Sequence, residues 1–211
     1  MKTLSWLVPF SLLASTARVI TFDSFAVGQT PPGWTVAMTN RGRAPQWEIR
    51  RDGSAATQPY VLAQISTDSN GERSPLAILD NMRLRDGEVS VRFKPVSGHD
   101  EQAGGVIWRY HDPNNYYVVR ANALAKNVGV FKVQGGKFIR IHPGVKHDLP
   151  GNGTGWSILK VSVRGNRFQV FLDHRRILQG WDNTFLGEGG VGLWTGADSV
   201  TYFDDFRVYA R

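Results

Sequence analysis

Residues 104–122 read GGVIWRYHDPNNYYVVRAN, two runs of strand character on either side of Asp112-Pro113-Asn114-Asn115. Each run carries an arginine, Arg109 or Arg120, among apolar and aromatic neighbours, and strand interiors do not normally bury a guanidinium. The four turn letters suit a type I β-turn, with Asp112 bonding the turn backbone and Pro113 presetting φ. A connection of that length makes His111 face Tyr116. Trp108 then lies opposite Val119, Tyr110 opposite Tyr117 and Val106 opposite Ala121, giving one wholly apolar face. The other face collects Arg109, His111, Tyr116, Arg120 and Asn122 with Gly105, Ile107 and Val118. A one-residue slip would set Arg120 beside Trp108 and Val106. Burying an unpaired guanidinium costs more than any turn preference supplies, so the segregated register is expected, with both arginines facing outward.

The next connection, Ala123 to Lys126, extends the pattern. It sets Asn122 against Asn127 and Arg120 against Gly129, while Val119 and Ala121 meet Val130 and Val128 on the core side. The segment GGVGLWTGAD repeats the device: Val191, Leu193 and Thr195 share one face, and Trp194 shares the other with Gly190 and Gly192, which leaves room above its ring. Arginine forks, a carboxamide, a tyrosine, an imidazole and an open indole suit a polyhydroxylated ring, with the aromatic face covering the sugar's C–H surface. Arg109, His111, Tyr116, Arg120, Asn122, Trp194 and Asp198 are therefore the candidate substrate-binding residues. A plain solvated sheet face is the alternative.

Outward from this hairpin, period-two alternation recurs along the chain, punctuated by Gly, Pro, Asn and Asp. Strands are expected near 19–25, 34–38, 46–50, 59–65, 76–80, 87–94, 104–111, 116–122, 127–133, 137–141, 156–163, 167–173, 189–195 and 199–209. Regular spacing of so many short strands predicts an all-β, antiparallel two-sheet β-sandwich or jelly roll. The 211 residues suffice for one well-buried domain, expected over 18–211. Residues 1–17 read as a secretory signal peptide: Met1-Lys2, an apolar run from Leu4 to Ala14, then Ser15-Thr16-Ala17 before the cut. A secreted or periplasmic monomer follows, without membrane insertion, since the apolar run is too short to span a bilayer.

The chain has no cysteine, which excludes thiol chemistry and Cys-based zinc sites. Its net charge of +7 would attract anionic partners. The basic residues are scattered along the sequence, however, which favours a solvated surface, and no nucleic-acid module is present. The five glutamates (48, 72, 88, 101, 188) include no Glu-x-Asp-x-x-Glu strand motif, so two-carboxylate glycoside hydrolysis has no local signature. Neither His-Glu-x-x-His nor Gly-x-Ser-x-Gly occurs.

The strings GGVIWRYHDPNNYYVVRANAL, WSILKVSVRGNRFQVFLD from residue 156, and GGVGLWTGADSVTYFDDFRV resemble the 3-keto-disaccharide hydrolase domain family, as does the earlier TFDSFAVGQTPPGW. That resemblance implies a jelly roll of the concanavalin-A-like lectin and glucanase superfamily. It also implies chemistry on glycosides whose C3 hydroxyl has become a ketone. A base would remove the acidified C2 hydrogen, the C1 substituent would leave by elimination, and water would add. On this reading Arg109 and Arg120 stabilise the enolate. His111, Asp112, Asp182 and Asp198 are the open choices for the base.

Related jelly rolls also hold structural calcium where the terminal strands meet. Asp205 with Asp23 is the candidate pair for such an oxygen site. The competing reading of Asp204-Asp205 is a β-bulge, because adjacent strand residues otherwise point to opposite faces. Three functions stay open: a 3-keto-glycoside-cleaving enzyme, a non-catalytic lectin-like or laminin-G-like carbohydrate-binding module, and a basic cell-surface interaction domain. Carbohydrate is the expected partner in the first two.

Overall fold

The computed structural model of the protein describes residues 16–69 and 72–211. All but the last two residues of the expected leader lie outside that range. Fifteen strands follow one another: β1 (Thr16–Ile20), β2 (Trp34–Thr39), β3 (Trp47–Arg51), β4 (Tyr60–Gln64), β5 (Ser74–Leu84), β6 (Gly87–Ser97), β7 (Ala103–Asp112), β8 (Asn115–Asn122), β9 (Asn127–Gln134), β10 (Lys137–Lys146), β11 (Ser157–Arg164), β12 (Arg167–Leu172), β13 (Arg175–Trp181), β14 (Gly189–Thr195) and β15 (Val200–Ala210). They form two antiparallel sheets packed as a jelly-roll sandwich. The first runs β13-β12-β11-β6-β15-β4-β3, with β1 also on β15; the second runs β10-β9-β8-β7-β14-β5-β2.

The expected strand sequence is present, with β5 and β10 running well beyond the expected 76–80 and 137–141 and two further differences. β13 is additional. It follows a two-residue turn, Asp173-His174, in which both residues have positive φ (46° and 68°). Two-residue hairpin turns of that kind usually advertise themselves as Asn-Gly or Asp-Gly, and Asp-His hides the signal. The first strand ends at Ile20 rather than continuing to residue 25, because the chain turns at Phe22, whose φ is 69°.

Alternation along each strand builds the core. Val89, Val91 and Phe93 of β6, Leu159 and Val161 of β11, and Val106 and Trp108 of β7 meet Val191 and Leu193 of β14 between the sheets. Trp108 stacks on Tyr117 with ring centroids 5.1 Å apart. The outward face of the second sheet is not plain solvated surface. Leu76, Ile78, Ile107, Tyr116, Val118, Phe131, Val133 and Trp194 form a second apolar cluster there. This sheet is therefore buried on both faces over much of its area.

The opening hairpin keeps the expected turn and changes register within β7. Asp112 pairs with Asn115 at the tip, and Asp112 Oδ1 accepts the Asn114 N–H at 2.7 Å, as the turn chemistry requires. Further along, Trp108 faces Tyr117 and Gly105 faces Arg120, two places off the expected pairing. Residues 109–111 make the slip as a bulge opposite Tyr116. A two-residue slip preserves face parity up to Trp108, which is why Val106, Trp108, Val119 and Ala121 are in the core as expected. The 122–127 connection follows its expected register throughout.

Beyond Trp108 the expectation fails in two places. Tyr110 turns outward and packs on Tyr116, centroids 6.1 Å apart, rather than into the core. Arg109, with φ 51°, turns inward and is 1% exposed. Its guanidinium donates to Arg85 O (2.7 Å), Phe185 O (2.7 Å) and Gly165 O (2.6 Å) and approaches Asp86 Oδ1 at 3.4 Å. Burial is satisfied here by carbonyls from three turns, not avoided by facing solvent. Opposite the bulge only glycine fits: a Cβ on Gly189 would lie 2.5 Å from the Arg109 carbonyl carbon.

Removing the guanidinium strands buried carbonyls, so Arg109→Met should cost more than about 3 kcal/mol in urea unfolding. Arg109→Lys should restore little, because one ammonium cannot reach all three carbonyls.

Candidate functional site

The expected site residues do not converge. Arg109 lies inside the sandwich end. His111 is exposed at the hairpin tip, its ring against Phe185 with centroids 5.4 Å apart. Because residues 109–111 bulge opposite Tyr116, it stands four residues, roughly 13 Å, along β8 from Arg120. Tyr116 is fully buried, and its hydroxyl is 2.7 Å from Thr39 Oγ1. Asn122 is 2% exposed and its Oδ1 accepts Ala125 N–H at 2.9 Å, shaping the turn after β8. Of the proposed bases, Asp112 serves its turn, and Asp182 takes hydrogen bonds from Tyr117 Oη (2.6 Å), Lys132 Nζ (3.1 Å) and Thr184 N (2.8 Å). Burial opposes the Asp182 charge, but those donors hold its carboxyl below the usual range.

Arg120 and Trp194 do come together. They line a cleft of about 530 Å³ with Asn40, Glu72, Glu101, Lys137 and Phe138 among its other walls. Trp194 is on the expected face, but the room above its ring is filled: the indole is 2% exposed and Phe138 of β10 packs on it at 5.7 Å. Its Nε1 faces the Tyr116 hydroxyl without closing a well-formed hydrogen bond. The accessible ring of the cleft is Phe138, 36% exposed.

At the centre of the cleft wall, Arg120 Nη1 pairs with Glu101 Oε1 at 3.0 Å, each side chain about one-fifth exposed. The guanidinium also lies 5.7 Å from the Phe131 ring centroid. Arg120 Nε and Glu101 Oε2 are both buried without a hydrogen-bond partner. Gly196 makes that placement achievable, since a Cβ there would fall 2.0 Å from Glu101 Oε2. Burial pushes the Glu101 carboxyl up, Arg120 partly offsets it, and Asp198 and Asp100 add to the rise.

Asp198 acts one step away from the cleft. Its carboxylate accepts the consecutive backbone N–H groups of Asp100 (3.1 Å) and Glu101 (3.1 Å) as well as that of His99. Burial works against its charge, yet these bonds hold its carboxyl below the ordinary range. Asp198 thus fixes the loop that presents Glu101. Sequence reasoning missed Glu101, Glu72, Asn40, Lys137 and Phe138. They come from separate elements, and no local spacing links them.

The two aspartates of the expected calcium pair make separate protein contacts. Asp205 is held by Arg92 Nε (3.0 Å) and Arg207 Nη2 (3.2 Å), and Asp23 Oδ1 accepts Tyr60 N–H at 3.1 Å. Among the described residues no three His, Asp or Glu side chains gather at metal-ligand spacing. The bulge reading describes this segment: Asp205 has φ 52°, and the β15–β6 register shifts between Asp204 and Arg207. Asp204 is buried and accepts from Thr57 Oγ1 at 2.8 Å.

No family model matches the chain, and no curated protein matches it. Solved structures do share its fold. The carbohydrate-binding module CBM66 from Bacillus subtilis superposes with a TM-score of 0.65 at 21% identity, covering 83% of this chain and 94% of that one. The exoplasmic/lumenal domain of VIP36, solved in its Ca2+/Man3GlcNAc-bound form, gives 0.57 at 13% identity over 85% and 84%. A putative glycosyl hydrolase from Parabacteroides distasonis gives 0.55 at 12% identity over 85% and 88%. What these likenesses define is the fold, an antiparallel two-sheet jelly roll.

Glu101 binds its proton more tightly folded than unfolded. It therefore favours folding at acid pH, and this contribution is lost as pH rises from the ordinary carboxylate value through the raised one. A carbon-detected NMR titration should place its midpoint above the ordinary glutamate range, and Arg120→Ala should move it higher still.

Proposed function

We propose that this protein is an exported carbohydrate-binding domain that holds a glycan in the Arg120–Glu101 cleft. The observation that carries the reading is the ion pair itself. An arginine fork and a carboxylate, each with a buried polar atom left unbonded, face a cleft with a partly open aromatic ring. Sugar hydroxyls both donate and accept, so they suit this pair better than a purely cationic or apolar ligand. Phe138 offers a surface for the ring's C–H face, and Lys137 and Asn40 line the same cleft. The cleft volume suits a small ligand. The shared fold of carbohydrate-binding modules and lectins supports this reading.

A second reading follows from the environment of Glu101 and the sequence resemblance to 3-keto-disaccharide hydrolases. A carboxylate made more basic by burial, beside a guanidinium, is the base-and-cation combination that 3-keto-glycoside elimination needs. Glu101 would take the C2 proton and Arg120 would stabilise the enolate oxygen at C3. The electron pair would then form the C1–C2 double bond as the aglycone leaves, taking back the proton from Glu101, before water adds its hydroxyl at C1 and its proton at C2. Glu101 replaces the four bases expected from sequence.

Glycan-array screening followed by calorimetry on the best neutral ligand tests binding. Arg120→Ala should weaken affinity at least about tenfold, the loss expected for a charged hydrogen-bonding partner, while the domain stays folded. Absence of any glycan ligand would overturn the binding reading. Aglycone release from 3-keto-glucosides, retained by the wild type and lost in Glu101→Gln with binding intact, would establish the enzyme; binding without release would reject it.

A further inference from the structure

Several of the basic residues that look scattered in the sequence share the outward face of the first sheet, away from the cleft. Residues 156–181 contain five cationic side chains (Lys160, Arg164, Arg167, Arg175 and Arg176) against one acid, Asp173. They build β11, β12 and β13, whose inward residues Val161, Val163, Phe168, Val170 and Leu178 belong to the core. Alternation sends the intervening residues outward. Strand register sorts these into three rows across the sheet. Arg164, Arg167 and Trp181 form one, Ser162, Gln169 and Gln179 the next, and Lys160, Phe171 and Arg176 the third. The third row continues over Ser90 of β6 to Arg207 of β15. There a hollow of about 190 Å³ is bordered by Arg92, Lys160, Phe171, His174, Asp205 and Arg207. Its cations are internally paired, Arg92 and Arg207 with Asp205 and Lys160 with Glu88, so the unpaired charge of the face lies with Arg164, Arg167 and Arg176.

Two features of this lattice need an occupant. Arg164 and Arg167 sit directly opposite each other, an arrangement that costs stability in a sheet. Neither they nor Arg176 make an ion pair or side-chain hydrogen bond among the described residues. Beside them Trp181 is 66% exposed, the most exposed of the large hydrophobic side chains among the described residues. Solubility alone would be served by interleaved charges of both signs and no open indole.

We propose that this face binds an acidic polysaccharide, a chain bearing carboxylate or sulfate groups on its sugar rings. The guanidinium forks of Arg164, Arg167 and Arg176 match such groups bidentately. Trp181 takes the apolar face of one ring. Gln169 and Gln179, between the two cationic rows, supply both donors and acceptors for ring hydroxyls. A nucleic acid fits the lattice less well. Its bases need successive open rings to stack on, and the ring of Phe171 is already covered by the Lys160 ammonium at 4.4 Å. A membrane surface is disfavoured because a single exposed ring gives little apolar area to insert.

The test uses the full chain on immobilised polygalacturonate and dextran sulfate, with neutral dextran as the control. Retention on the acidic polymers should fall steeply with added salt. The double variant Arg167→Glu/Arg176→Glu should weaken it at least about tenfold, and Trp181→Ala severalfold. No melting temperature should fall, and that of the double variant should rise slightly, since a glutamate at position 167 would face Arg164. Neutral-glycan binding at the cleft should be the same in these variants as in the wild type, which separates this surface from that site. No retention at low salt would overturn the proposal. So would retention indifferent to Trp181→Ala, accompanied by equal binding of single-stranded DNA or anionic vesicles.

Discussion

Burying an arginine obliges the chain to bring oxygen atoms to it, and Arg109 organises one end of this sandwich on those terms. Arg85 lies on the crossing from β5 in the second sheet to β6 in the first, and Phe185 on the return crossing from β13 to β14. Gly165 closes the β11–β12 hairpin between them. One guanidinium, carried by the second sheet, bonds the carbonyls of all three. Five donors in a rigid plane make this bridging feasible for arginine and for no other side chain. Simple alternation would have aimed Arg109 outward with Ile107, so the bulge at 109–111 is the backbone adjustment that closure requires.

Closure of that end and burial of both faces of the second sheet confine the places where a ligand can sit. Trp194, Tyr116 and Phe131 cover the aliphatic side chains of the outer layer. On the outer face of that sheet, polar groups gather toward the other end, where Arg120 emerges beside Gly105 and Gly129 and meets a loop from between β6 and β7. The buried ends of Arg120 and Glu101 each retain an unbonded polar atom there. Native interiors seldom leave such atoms unmatched, and they tend to mark functional positions.

The fold was readable because period-two alternation is a local signal and the turn residues are explicit. The Asp112–Asn115 turn and the register from Asn122 to Asn127 required only neighbouring letters. What stayed hidden depended on distant partners. The bulge before His111 has no letter of its own, because the demand for it comes from carbonyls at residues 85, 165 and 185. Glu101 is likewise unremarkable until β8 delivers Arg120 to it and Gly196 leaves space for its carboxylate. Face parity correctly placed Trp194 but said nothing about the strand that would cover it, since Phe138 arrives from beyond another hairpin. The arrangement of charge is non-local for the same reason: Arg167 and Arg176 are separated in sequence but share a sheet face.

The hydrogen bonds that Asp198 accepts from successive amides give the loop ahead of β7 a property relevant to kinetics. Loops that settle only when a ligand arrives charge their ordering entropy against affinity and slow productive encounters. Here the backbone at 99–101 is fixed when the domain folds, by a carboxylate whose environment keeps it ionised through neutral pH. Glu101 therefore presents itself in one orientation before any ligand is near. On the proposed reading, association at the cleft is then a matter of diffusion and side-chain desolvation, with the rim already ordered.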